Sequence, residues 1–324
     1  MLATLFRSNQ PATLFAVPVL VALLFAGDLG HPPTAMEAMP LAALVQHLVG
    51  GSAWLNGALG FLLLALISVQ MAAMSNALDL MERRNHLVAF LFPTLMACTS
   101  GGTILEPALL GMPMVLIAFR RTWSLDNTAP AFSALFDSGF WLGLAALCYL
   151  PYAALLVVVW ASTSLIRPFV WREYVLPVLG SALVFYLSWS VLYLLDRTPW
   201  YPLHTVGSFD MSAGLALAGG NLRLTADILV AIVLILGLRA FGNSYSRSVI
   251  RVRNLRAAFL TFSVVLLMLL LVMTRVNGAA PPVLVCVPLA VVCAHGWLAP
   301  KRPWLADALA LGLLGLALCI RWLA

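Results

Sequence analysis

The chain has 324 residues, of which 63% are apolar and 9% charged, with a mean hydropathy of +1.00. A soluble domain is nearer half apolar and a quarter charged, so a soluble globular enzyme, a disordered chain and a nucleic-acid-binding protein are excluded. The net charge of +6 comes from seventeen Arg and one Lys, Lys301. Basic residues beside apolar runs set membrane topology.

In chain order, apolar segments run at about 12–27, 56–78, 88–101, 104–119, 135–149, 151–166, 174–195, 224–241, 257–274, 282–298 and 305–322. A bilayer span needs about 20 mainly apolar residues. The first segment follows Arg7 in the charge order of a secretory signal, but further spans follow it, so it reads as a retained helix. Several segments are short, which predicts tilted or re-entrant helices among them.

The stretch 132–166 decides the topology. It reads either as one very long helix or as two short ones broken around Tyr149, Leu150, Pro151 and Tyr152, and proline favours the break. With two helices and a cytoplasmic N-terminus, fourteen basic residues lie inside and four outside (Arg197, Arg223, Arg275 and Arg321). A single helix inverts everything downstream and gives nine against nine. The positive-inside rule therefore selects the broken form. The expectation is an all-α, polytopic transmembrane helical bundle of about eleven spans, N-terminus cytoplasmic, forming a single integral membrane domain over 1–324.

Two longer outer loops stand out, at 28–55 and 196–223, each long enough for an interfacial segment. A basic cytoplasmic loop is expected at 239–256. No internal repeat of the transporter kind is evident.

Asp28 follows the first span at the outer surface, where a carboxylate can serve as general base or bind a metal–pyrophosphate head group. Glu37 offers a second carboxylate nine residues on, and His31 lies between them. The competing reading of Asp28 is a solvated helix-end residue, and nothing fixes its separation from Glu37. Glu106 lies in an apolar setting and is a site candidate on that ground. The competing reading is structural: Thr103 and Glu106 have the spacing of a capping box before Pro107. Arg197, Arg223 and Arg275 break the positive-inside trend and suit an anionic substrate, with His204 in the same loop as Arg197. Arg197 also follows Asp196 directly, as an ion-paired helix end would. Asp227 and Asp307 lie within or at the edges of late spans, where either could pair with a nearby Arg.

Arg167 and Arg172 flank a short aromatic turn, and Arg251 and Arg253 lie in the most basic segment. Interface anchoring explains them, and lipid-phosphate binding is the functional alternative. Asp137 suits a helix N-terminus, and Gly139 with Gly143 forms a G-x-x-x-G that favours close helix packing. The five cysteines, Cys98, Cys148, Cys286, Cys293 and Cys319, sit in apolar runs and read as packing residues, so no metal site is expected.

Three short motifs carry a resemblance: Leu5-Phe6-Arg7 with Gln10-Pro11, Phe136-Asp137-Ser138-Gly139-Phe140, and the turn from Arg167 to Glu173. Together they resemble an uncharacterised multi-pass inner-membrane family of Bacteroidota, often mislabelled as a carotene monooxygenase, over roughly the first 195 residues. That resemblance implies a bacterial inner-membrane location and no established activity. The oxygenase label is rejected, because iron needs a set of histidines and His86 and His295 stand alone. Asp28 after the first span, and the stretch Gly139 to Trp160, are also similar to GT-C-type membrane glycosyltransferases, which use a lipid-linked sugar donor at the outer face. The usual acidic pair is not adjacent here, and the soluble C-terminal domain of those enzymes is missing from the sequence.

The leading expectation is a protein that handles a polyprenyl- or lipid-linked glycan at the outer face, as a GT-C-like transferase or polymerase. Its partners are membrane lipids and that glycan, with no nucleic acid. No cofactor is expected beyond a divalent cation accompanying a lipid pyrophosphate. A non-catalytic scaffold of an envelope assembly and a lipid or solute transporter are the competing classes.

Overall fold

The computed structural model describes residues 6–7, 10–30, 39–49, 52–99, 105–125, 131–196, 221–277, 281–298 and 303–323. These form twelve α-helices and three short 3-10 turns, and no strand occurs among the described residues. The helices are α1 (Ala16–Phe25), α2 (Pro40–Val49), α3 (Ala53–Ala77), α4 (Leu87–Thr99), α5 (Pro107–Trp123) and α6 (Phe132–Cys148). They continue with α7 (Leu156–Ile166), α8 (Trp171–Leu194), α9 (Asn221–Ser246), α10 (Ile250–Asn277), α11 (Val283–Leu298) and α12 (Pro303–Leu323).

Each of the eleven apolar segments falls on a helix. Four helices, α3, α8, α9 and α10, are long and apolar enough to cross a membrane. The 25 residues of α3 extend about 37 Å at 1.5 Å per residue, more than a hydrocarbon core. Only 22% of the apolar window of α8, and the same share of α9, is covered by other helices. Leu179, Leu183 and Leu187 of α8 and Ile228, Ile232 and Ile235 of α9 therefore face outward. So large an apolar surface is what lipid covers and water does not.

Residues 132–166 form two helices running in opposite directions. Backbone extension at Tyr149 (φ −145°, ψ 103°) ends α6, and Pro151 opens the 3-10 turn Leu150–Leu155 that leads into α7. Side chains along α5 show the reversal. Near its C-terminal end, Thr122 bonds Ser138 of α6 at 2.8 Å, and Trp123 Nε1 donates to Ser162 of α7 at 3.1 Å. Near its N-terminal end, the Tyr152 hydroxyl donates to the Ala108 carbonyl at 2.7 Å. Gly111, one turn further on, faces the Ala145 carbonyl and the Tyr152 ring. The chain thus travels the length of α5 twice.

The basic segment departs from expectation. The stretch 239–256 is helical except for residues 247–249, which join α9 to α10. Arginine is a good helix former, and its long stem lets the charge reach water from a helix flank. In the first outer loop, residues 40–49 form α2, with Leu44 and Leu48 exposed as on an interfacial helix. Residues 197–220 of the second lie outside the described residues.

Glycines set two close crossings. A Cβ on Gly139 would meet the Pro177 backbone, and one on Gly180 would meet the Phe136 carbonyl and the Phe140 amide. Ser181 Oγ adds bonds to the Gly139 and Pro177 carbonyls at 3.1 and 2.8 Å. The G-x-x-x-G of α6 is therefore its contact face with α8. Gly237 of α9 meets the Val292 carbonyl of α11 in the same way. We expect Gly180→Ala to destabilise the folded chain by about 1–3 kcal/mol, because backbone on the far side does not yield. Gly315→Ala, with nothing within 4 Å of its new carbon, should be neutral or slightly stabilising. Thermal unfolding of the two variants in detergent checks the contrast.

Candidate functional site

The helices gather polar residues at two ends of the bundle. One end holds the C-terminal ends of α3, α5, α7 and α11 and the start of α4 and α10. Backbone N–H of His86 donates to the Phe6 carbonyl at 2.8 Å, and Arg7 reaches the Leu298 carbonyl at 3.3 Å. Asn76 and Asn85 exchange two bonds, at 2.9 and 3.0 Å. Arg256, 2% exposed, donates from Nε to the Leu80 carbonyl at 3.1 Å and from Nη1 to Ser248. His295 Nε2 lies 3.3 Å from the same carbonyl, and its Nδ1 lies 2.9 Å from the Val291 carbonyl. Arg83, Arg84, Arg120, Arg121, Arg167, Arg251 and Arg253 lie on the chain segments that meet at this end.

The opposite end holds the acidic candidate. Glu106 is the residue before α5, with extended backbone (φ −106°, ψ 147°) and no side-chain cap bond. The capping-box reading is corrected by this geometry. That motif needs Glu at the third helical position, but Pro107 takes the first helical turn and leaves Glu106 as the N-cap. Thr103 lies outside the described residues. The Glu106 carboxylate bears electrostatically on Tyr149, Tyr152 and Cys286. Thr99, at the end of α4, contacts Cys286 Sγ at 3.2 Å. The rings of Tyr149 and Tyr152 meet edge-on, 5.2 Å apart. On the flank of this group, the charges of Asp227 (α9) and Arg321 (α12) both act on Cys98 of α4. Arg321 also sits over the Phe25 ring, at 4.7 Å. The start of α5, the end of α4, the start of α11 and the α6–α7 reversal thus meet at this end of the bundle. A carboxylate there can accept a proton or bonds from a substrate's hydroxyls.

Asp28 lies in the 3-10 turn Ala26–Gly30 that follows α1 at this end, and the neighbouring Leu29 packs against Gly57 of α3. Its side chain is outside the described residues, as is that of Arg223 in α9. His31, Glu37, Arg197 and His204 are outside them altogether. Arg275 is half-buried in the last turn of α10.

The arginines expected to hold lipid phosphate divide. Arg167 Nη2 pairs with Glu173 Oε1 at 3.2 Å, with the two side chains 11% and 4% exposed. Its guanidinium is turned on a protein carboxylate. Arg172 stacks over its neighbour Trp171 at 5.8 Å on the outer surface, as an interfacial anchor does. Arg251 and Arg253 are exposed at the start of α10.

Sequence reading missed Tyr149 and Tyr152, which it treated only as a break, and the partnership of Thr99 with Cys286. The pair of tyrosines flanking a proline inside an apolar run was the available signal. Tyr149 and Tyr152 also differ in a testable way. The Tyr149 hydroxyl is buried with no hydrogen-bond partner among the described residues, whereas that of Tyr152 is bonded to Ala108. Tyr149→Phe should leave the melting temperature unchanged or raise it, and Tyr152→Phe should cost about 1 kcal/mol. Equal losses in the two melts would contradict this difference.

No family model matches the chain, and neither does any curated protein or solved structure.

Proposed function

We propose that the chain is a multi-pass protein of the bacterial inner membrane that handles a polyprenyl- or lipid-linked glycan at its outer face. The N-terminus lies in the cytoplasm and about eleven helices cross or enter the bilayer. The observation that carries this reading is the Glu106 cluster. A half-buried carboxylate stands at the start of α5 and bears electrostatically on Tyr149, Tyr152 and Cys286, at the end of the bundle opposite the arginine-rich one. Ionisable groups inside a membrane bundle are costly and are retained chiefly where they serve a substrate.

In this reading Glu106 and Tyr149 bind sugar hydroxyls. Asp28 or Glu37, in the loop above, takes the proton of the acceptor hydroxyl as the bond from sugar to phosphate breaks. Arg197, Arg223 and Arg275 hold the departing phosphate, with His31 and His204 beside it. A divalent cation would arrive with the substrate's pyrophosphate and offset its charge. The resemblance to GT-C-type transferases supports the same placement of an acidic residue after the first span.

The test uses the full chain in lipid nanodiscs with a polyprenyl-phosphate-linked sugar. We expect Glu106→Gln to weaken binding of the lipid-linked sugar about tenfold, the worth of one charge-assisted hydrogen bond. Asp28→Asn or Glu37→Gln should abolish transfer while binding persists. Wild-type binding and transfer in all three variants would overturn the reading and leave the scaffold function in its place.

A further inference from the structure

At the arginine-rich end, a cavity of about 310 Å³ opens between α5, α7 and α10. It is lined by Trp123, Leu125, Ile166, Ile250, Arg251, Asn254 and Leu255. Five of these seven are apolar, and none is acidic. The Trp123 indole N–H is already committed to Ser162, so it is the ring that serves as wall. Asn254 gives one amide hydrogen to the Leu165 carbonyl at 2.9 Å and retains the other. Arg251 makes no ion pair or hydrogen bond among the described residues, and its side chain is exposed at the rim.

Three features bear on what enters. The lining is mostly hydrocarbon, so a hydrophilic anion such as free phosphate leaves most of it unused. The polar atoms are a guanidinium and an amide, together with the start of α10, where backbone N–H groups favour negative charge. The cavity also lies where basic helix ends meet, the end that faces cytoplasmic headgroups in the topology proposed above. Around it, Arg120, Arg121, Arg247 and Arg253 are exposed and raise the local positive potential.

We propose that this cavity is a binding site for an anionic membrane phospholipid of the cytoplasmic leaflet, its phosphate on Arg251 and Asn254 and its first acyl segment against Trp123, Ile166 and Leu255. The site is separate from the outer-end cluster and needs no glycan activity there, but its assignment to the cytoplasmic leaflet rests on the topology proposed above. Its effect is to tie α5, α7 and α10 together at the end where α10 begins.

The test uses the purified full chain in phosphatidylcholine nanodiscs doped with phosphatidylglycerol, with retained lipid read by native mass spectrometry and melting followed in parallel. Wild type should retain phosphatidylglycerol over phosphatidylcholine by about tenfold, and Arg251→Ala should reduce that retention about fivefold. Arg247→Ala removes the same charge from an exposed position off the cavity and should change retention less than about twofold. Inorganic phosphate and glycerol phosphate should not displace the lipid. Equal losses from the Arg247 and Arg251 variants would show diffuse attraction only and overturn the site. Displacement by inorganic phosphate would overturn the lipid assignment, and absence of any phosphatidylglycerol preference would overturn both.

Discussion

The reversal of the chain at Tyr149 is the constraint on which the rest of the structure depends. A helix in an apolar setting can break only where its freed backbone groups find other partners. Here Pro151 removes one donor, the 3-10 turn tightens the restart, and the backbone N–H of Tyr149 and Tyr152 remain bonded to the Ala145 and Tyr149 carbonyls. The Tyr152 hydroxyl then closes the turn onto α5. Because the turn sends α7 back along α5, it sets the direction of each later helix. It also decides at which end the arginines between α9 and α10 emerge.

The two ends that result differ in kind. The arginine-rich end is braced by carbonyl oxygens. The Leu80 carbonyl, just after the left-handed residue Asp79 (φ 49°), receives Arg256 from 176 residues away and faces His295 from 215 residues away. A neutral imidazole donates to only one of the two carbonyls His295 touches, so the arginine bond is the firmer brace. Among the described residues, the other end has fewer such braces. It collects a carboxylate, two tyrosines, a threonine and a cysteine where helices begin or turn. Rigid bracing at one end and a polar cluster at the other is an arrangement that can hold a substrate without losing the bundle.

Much of the helical plan was legible in the sequence, because apolar runs this long have few other solutions. The break at Pro151 was legible too, since proline acts locally. Helix ends were less so. Arg239 through Ser246 and Arg251 through Arg256 read as loop by charge, yet they continue α9 and open α10. Charge does not break a helix whose side chains reach water. Glu106 was legible as an acid in an apolar setting, but its partners were not. Tyr152 lies 44 residues from its acceptor, Ala108, and Thr99 lies 187 residues from Cys286. No spacing rule connects such pairs. The pairing of Arg167 with Glu173 was not legible either, because it spans a turn rather than a helix face.

The central claim is that 132–166 crosses the membrane twice, so that the arginine-rich end faces the cytoplasm and the Glu106 end faces outward. Leu195 and Ser246 are exposed, one at the end of α8 and the other at the end of α9. Leu195→Cys and Ser246→Cys, each in the otherwise intact chain, would be treated in spheroplasts with a membrane-impermeant thiol reagent and compared with the parent. The account predicts labelling of Cys at 195 from outside, and at 246 only after the membrane is permeabilised. The opposite pattern would place the arginine-rich end outside and contradict it.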